Sequence, residues 1–233
     1  MIVAVLYTCD RPAEREEYVL RTLDRLAENL IAPEPVWLHV ADDGSRPDFR
    51  QRVEERARTL YGENVSLSNS VGRGYGASHN VATQTTHALG DVLLPLEDDW
   101  ELVRPLDIGP MVAVLRSGTF NCIRMGSIGY TQELRGVLEY AEGIHWLRFD
   151  PESAERHIFA GGPRLETVTF QRTLGEWPEE CEAGTTEFIV SGRVESRQGI
   201  VWPIDLIRPS ENIFAHIGTH KAYVQQIVEG SVV

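Results

Sequence analysis

The alternation of apolar runs with amphipathic stretches over the first hundred residues constrains this chain most. Ile2 to Tyr7 is a short continuous apolar run, the pattern of a strand buried on both faces. Asp10-Arg11-Pro12 breaks it. Residues 13–30 place Tyr18, Leu20, Leu23, Leu26, Ala27 and Leu30 near i, i+3, i+4 spacing with charges between, which predicts a helix. Val36 to Val40 reads as a second strand, stopped by Asp42-Asp43-Gly44-Ser45, and 47–60 as a charged amphipathic helix. Val65 to Leu67 is a third strand, running into Gly72-Arg73-Gly74-Tyr75-Gly76. A helix follows over 77–88. Asp91 to Leu96 is a fourth strand, ending in Glu97-Asp98-Asp99-Trp100. Repeats of this length imply right-handed crossovers and a mostly parallel α/β sheet.

In such sheets ligands bind beyond the carboxyl ends of the strands. The polar clusters fall there: Thr8 and Asp10 after the first strand, Asp42 and Asp43 after the second, Glu97 to Asp99 after the fourth. Three consecutive carboxylates repel one another, and a hard divalent cation relieves this while leaving positions for phosphate oxygens. In isolation the triplet also reads as a solvated acidic turn. Charge supports the cation: with a formal net charge of −13 and a single lysine, Lys221, the chain needs one to hold an anionic ligand. The same charge disfavours nucleic acid.

Each remaining cluster has a structural and a chemical reading. Asp42-Asp43-Gly44-Ser45 is a turn with a helix cap, or it gives one carboxylate to the imide N–H of a uracil. The glycine turn packs helix on sheet, or it brings Arg73, His79 or Asn80 to a nucleotide at a helix N-terminus. Its G-x-G-x-G spacing is not the dinucleotide fingerprint. The stretch 175–187 holds five glutamates at the start of a predicted helix. They complement the helix dipole, or one of them is a general base. His216 and His220 lie four apart, as packing histidines or with His216 as a further metal ligand.

The second half is less regular. Residues 107–116 and Glu182 to Val194 read as helices. Phe120 to Met125, Leu165 to Phe170 and Ile200 to Trp202 read as strands. Residues 129–160 suggest a hairpin or flap, and the last 20 residues a tail that folds back. No apolar run reaches the roughly 18 residues that span a bilayer. Met1 to Leu6 lacks the basic region of a signal peptide. Cys9, Cys122 and Cys181 are sparse and odd in number, which points to reduced thiols and a cytoplasmic setting.

Val5-Leu6-Tyr7-Thr8-Cys9-Asp10-Arg11-Pro12, Val40-Ala41-Asp42-Asp43-Gly44-Ser45, the run through Asn69, Ala77, Asn80 and Gly90, and Leu96-Glu97-Asp98-Asp99 together resemble the family 2 glycosyltransferases with the GT-A fold. The resemblance covers residues 2–100 and resumes from 161 to 216. There Gly175-Glu176-Trp177-Pro178-Glu179 is similar to a family turn, and Thr186-Glu187 precedes Arg193 as an acidic pair does in the family. It departs at Glu97 for Asp, at His79 for Arg and at Glu187 for Asp.

The resemblance implies an inverting, metal-dependent transfer from a nucleoside-diphosphate sugar, a UDP-sugar foremost, with Mn2+ or Mg2+ as cofactor. It implies Glu187 as catalytic base, Asp99 on the metal, Thr8 and Asp43 (or Asp42) on the base and ribose, and Asp98 or Glu97 on the ribose or the metal shell. The reading of the residues themselves adds His216 to the metal and Asp10, Arg11, Arg73, His79 and Asn80 around the donor. The acceptor is a hydroxyl of a saccharide, a lipid head group or a protein, and a homodimer is compatible with the sequence. One GT-A domain is expected, with residues 1–104 as the nucleotide-sugar half and 105–233 as the acceptor half. A nucleotidyltransferase or sugar-nucleotide pyrophosphorylase, and a binding protein without catalysis, are the alternatives.

Overall fold

The computed structural model describes residues 1–125, 136–149, 162–194, 200–207 and 213–219. Elements alternate through the first half: β1 (Ile2–Thr8), α1 (Arg15–Asn29), the short β2 (Leu30–Ile31), β3 (Val36–Asp42), α2 (Pro47–Tyr61), β4 (Val65–Asn69), α3 (Tyr75–Leu89) and β5 (Val92–Glu97). Then come β6 (Trp100–Leu102), β7 (Leu106–Asp107), α4 (Gly109–Arg116), β8 (Cys122–Arg124), β9 (Gly136–Ala141), β10 (Ile144–Phe149), β11 (Arg164–Thr167), α5 (Val168–Leu174), α6 (Ala183–Arg193), β12 (Ile200–Pro203) and β13 (Phe214–His216).

Among the described residues nine strands form one sheet in the order β4-β3-β1-β5-β11-β8-β12-β10-β9. The first four are parallel, as the alternation predicts. Beyond β5 the pairing turns antiparallel, except for parallel β8–β12. The sheet is therefore mixed: β9 and β10 form a hairpin, while the antiparallel neighbours β5 and β11, β11 and β8, and β10 and β12 meet across long stretches of sequence. β1 lies at the centre of the parallel half and every one of its residues is buried.

The parallel register sets the site. Thr8 pairs with Asp42, Asp42 with Asn69, and Tyr7 with Glu97. The carboxyl ends of four strands are thus level, and their polar residues share one edge.

One expected strand is a helix in part. Leu165 to Phe170 alternates, but the Thr167 hydroxyl accepts the Phe170 N–H at 3.0 Å and caps α5. The helix after the glycine turn starts at Tyr75, not at residue 77. The expected flap is the β9–β10 hairpin in its described part. Phe214–His216 folds back to pair with β6, while His220 lies outside the described residues. Among the described residues no helix is long and apolar enough to cross a membrane.

Candidate functional site

The acidic turn follows β5 directly. Asp98 has no solvent exposure. Its Oδ2 accepts Thr8 Oγ1–H at 3.0 Å and the Cys9 N–H at 3.3 Å, and its Oδ1 pairs with Arg15 Nη2. Thr22 donates to its carbonyl at 2.8 Å. Burial pushes the Asp98 carboxyl up, Arg15 opposes the shift and Asp99 adds to it. Arg15 itself is held above its ordinary value: burial works against its charge, and Asp98 and Asp99 outweigh it.

Asp99 is arranged differently. Its Oδ2 lies 3.3 Å from Arg15 Nη1 and 3.6 Å from His216 Nε2. Its Oδ1 is buried and has no hydrogen-bond partner among the described residues. The segment after β13 crosses over it: the Ile217 N–H donates to the Asp99 carbonyl at 2.9 Å. A Cβ on Gly218 would stand 2.2 Å from Asp99 Oδ2, so no larger residue fits there without displacing that carboxylate. Further along, Thr219 shares a 2.8 Å hydrogen bond with the Tyr18 hydroxyl of α1. The His216 ring meets Trp100 edge to face at 5.1 Å. Among the described residues no group of three His, Cys, Asp or Glu converges into a complete metal cage.

On the other flank the Asp42-Asp43 turn is held from several directions. Gly44 has φ +70°, and a Cβ there would lie 2.3 Å from Gly72 N, so the turn packs directly on the glycine loop. Asp43 Oδ1 accepts Ser70 Oγ–H at 2.5 Å and the Gly74 N–H at 3.1 Å. Arg11 Nη2 donates to the Asp43 carbonyl at 2.8 Å and lies 3.5 Å from its carboxylate. Asp42 Oδ2 accepts the Ser45 N–H at 3.0 Å, while Oδ1 is buried with no partner among the described residues. Burial raises the Asp42 pKa. Asp10 accepts the Arg46 N–H and Nε–H at 3.1 and 2.7 Å, which fixes the loop after β1 to the start of α2.

Three residues expected at the donor make contacts within the chain. His79 is fully buried, stacked 3.8 Å from Tyr7 and 3.7 Å from Trp177, with Tyr75 edge-on. Burial, with Arg164 nearby, drives its pKa far below the usual histidine range. A ring enclosed this way is part of the core and does not face a nucleotide. Asn80 clamps the Trp177 backbone and Glu179. Arg73 pairs with Glu179 at 3.0 Å.

These contacts lock the turn before α6, and α6 carries Glu187. Glu187 is half-buried. Its charge raises the pKa of Glu97, after burial and Asp99, and that of Tyr75. Tyr75 lies close to Glu97, but its hydroxyl completes no hydrogen bond among the described residues. The geometry therefore brings Thr8, Glu97, Asp98, Asp99 and His216 into one cluster, with Asp42 and Asp43 at the ends of neighbouring strands and Glu187 within electrostatic reach.

Arg15 is the residue that motif reading misses. Its signal is periodicity: Arg15, Tyr18, Val19, Thr22, Leu23 and Leu26 are the buried face of α1. An arginine on that face must meet a buried anion.

The model of glycosyl transferase family 2 matches residues 4–161. Among curated proteins none matches the sequence. Solved structures share the fold at low identity. S. aureus TarS 1–349 in complex with UDP has a TM-score of 0.62 and 17% identity, covering 88% of this chain and 58% of that one. The mannosyltransferase PcManGT from Pyrobaculum calidifontis, in complex with GDP-Man and Mn2+, has a TM-score of 0.56 and 15% identity, over 88% of this chain and 55% of that one. GalNAc-T7 with UDP, GalNAc and Mn2+ has a TM-score of 0.59 and 15% identity, over 87% and 42%. The chain thus spans about half the length of these proteins. The family match covers most of the sequence and the sheet is that of the GT-A enzymes, so the chain belongs to glycosyl transferase family 2.

Proposed function

We propose that the chain transfers a sugar from a nucleoside-diphosphate sugar, a UDP-sugar foremost, to an acceptor hydroxyl, with inversion and with a divalent cation. The observation that carries this reading is the Asp99 carboxylate. It is buried, one oxygen lacks a partner among the described residues, and the other lies beside the His216 imidazole. Mg2+ and Mn2+ sites commonly take one or two protein ligands and leave the rest to water and phosphate. Asp99 and His216 fit that pattern. A bound cation would supply charge neutralisation at the leaving diphosphate.

The rest is the work of the chain's own groups. Asp42 and Asp43, at the end of β3, flank the donor on its base side, and the Asp42 oxygen that has no partner among the described residues suits an imide N–H. Thr8 fixes Asp98, so Asp98 supports the turn rather than ligating. Glu187 accepts the acceptor's hydroxyl proton. The new C1–O bond forms as the C1–O bond to the diphosphate breaks, with oxocarbenium character between. Residues 1–104 form the donor half and 105–233 the acceptor half of one GT-A domain.

The test is a thermal-shift screen of UDP-, GDP- and TDP-sugars with and without Mn2+. A UDP-sugar is expected to stabilise the protein most, and only with metal. No stabilisation by any of them with Mn2+ present rejects the reading. Glu187→Gln is expected to keep donor binding and lose transfer, and unchanged turnover removes Glu187 from the base role.

A further inference from the structure

Arg15 brings a positive charge into the site where a divalent cation is proposed to bind. It does so from α1, with its side chain more than nine-tenths buried and touching two carboxylates at once. The two contacts are not equivalent. Asp98 is held on both oxygens, by Thr8, Cys9 and Arg15. Asp99 shares one oxygen between Arg15 and His216 and leaves the other without a partner among the described residues. The Asp98 contact is therefore the anchor of the guanidinium, and the Asp99 contact can be exchanged without releasing Arg15 from the turn.

We propose that Arg15 sets the order of binding at this site, by competing with the divalent cation for Asp99 until the donor diphosphate arrives. The proposal rests on the metal reading of Asp99. In the donor-free protein the guanidinium already neutralises Asp99 and repels a second cation a few ångströms away. The site then holds metal weakly by itself. A diphosphate adds negative charge beside Arg15 and supplies further oxygen ligands, so metal and nucleotide are retained together. This is positive coupling between two ligands, and by linkage each tightens the other equally.

The test is Mn2+ binding to the intact chain, followed by the electron paramagnetic resonance signal of the free ion, with and without UDP. Wild type is expected to bind Mn2+ at least about tenfold more tightly with UDP than alone. Arg15→Gln is expected to bind Mn2+ alone roughly tenfold more tightly than wild type and to gain less from UDP. Arg15→Lys keeps the charge and is expected to stay near wild type. Asp99→Asn is expected to lose Mn2+ under both conditions. If Arg15→Gln binds Mn2+ no more tightly than wild type while Asp99→Asn is defective, the role of Arg15 is overturned and the metal reading stands. If Asp99→Asn binds Mn2+ as wild type does, the metal reading falls and the proposal with it. Should Arg15→Gln lose its fold by circular dichroism, wild type decides: Mn2+ affinity that UDP does not raise overturns the proposal.

Discussion

The Asn80 side chain grips the Trp177 backbone at both polar groups. Its Nδ2–H donates to the Trp177 carbonyl at 3.0 Å, and its Oδ1 accepts the Trp177 N–H at 2.8 Å. The same Nδ2 reaches Glu179 Oε1 at 3.0 Å. Helix α3 thereby fixes the turn that leads into α6, and Thr186 donates back from α6 to the Pro178 carbonyl at 3.4 Å. Asn80→Ala removes this clamp and takes two hydrogen-bond partners from the partly buried Trp177 backbone. The expected loss is about 1–3 kcal/mol in a urea unfolding curve, since each of the two part-buried hydrogen bonds contributes about 0.5–1.5 kcal/mol. With α6 no longer held, turnover is expected to fall more than donor affinity. An equal loss in both, or none, removes Asn80 from this role.

The parallel half of the sheet was legible because its signals are local. The apolar run of β1, the Pro47 start of α2 and the glycine turn before α3 each name an element without reference to distant residues. The polar strand ends were legible for the same reason, since topology alone puts them on one edge. The roles of His79 and Asn80 were not. Both face Trp177, almost a hundred positions away in sequence, and nothing near them announces that contact. The antiparallel half was obscure because its strands are short and partner across long separations. Leu165 to Phe170 shows the limit of periodicity, as one capping hydroxyl on Thr167 overrides the alternation.

Gly218 offers a test of the acidic turn that removes no charged group. Its α-carbon lies against Asp99, where a Cβ would approach Oδ2 to 2.2 Å. Gly218→Ala must push the carboxylate or the segment after β13 aside. The expected result is at least a tenfold weaker Mn2+-dependent binding of UDP, because a ligand displaced by about an ångström loses its metal geometry. Global stability is expected to change by less than about 1.5 kcal/mol, as the segment is peripheral to the sheet. Calorimetric titration with UDP and Mn2+ distinguishes the two effects, and unaltered UDP binding would count against Asp99 as the ligand.

Burial pushes His39 down to about 4. Its ring nitrogens lie 2.8 and 2.9 Å from the hydroxyls of Ser66 and Ser68 on β4. The unfolded chain takes up the proton near pH 6.5 and the folded one only near pH 4, so His39 stabilises the fold above pH 6.5 and loses that contribution as pH falls toward 4. From pH 7 to pH 5 the expected loss is about 2 kcal/mol from this residue. His79, shifted in the same direction, adds to it. His39→Gln no longer titrates, so its stability should fall less between these pH values. Parallel slopes for wild type and variant in pH-dependent urea melts would falsify the assignment.

Arg164 and Glu166 form an ion pair in β11, with Nε and Oε2 2.9 Å apart and side chains 2% and 0% exposed. Gln171 Nε2 donates to Glu166 Oε1 at 3.0 Å, so the carboxylate is matched on both oxygens. Arg164 stands near the rings of Tyr7, Tyr75, His79 and Trp177, and its charge contributes to the low pKa of His79. Glu166→Gln takes from the buried guanidinium the charge that pairs with it in β11. Breaking one partner of such a pair costs about 3–5 kcal/mol. Replacing both, as Arg164→Met with Glu166→Leu, restores neutrality and fills the volume, so the double variant is expected to be more stable than Glu166→Gln alone. The comparison is made in urea at pH 7. A double variant less stable than the single one would show that the pair does more than neutralise itself, holding the His79 stack and through it the turn before α6.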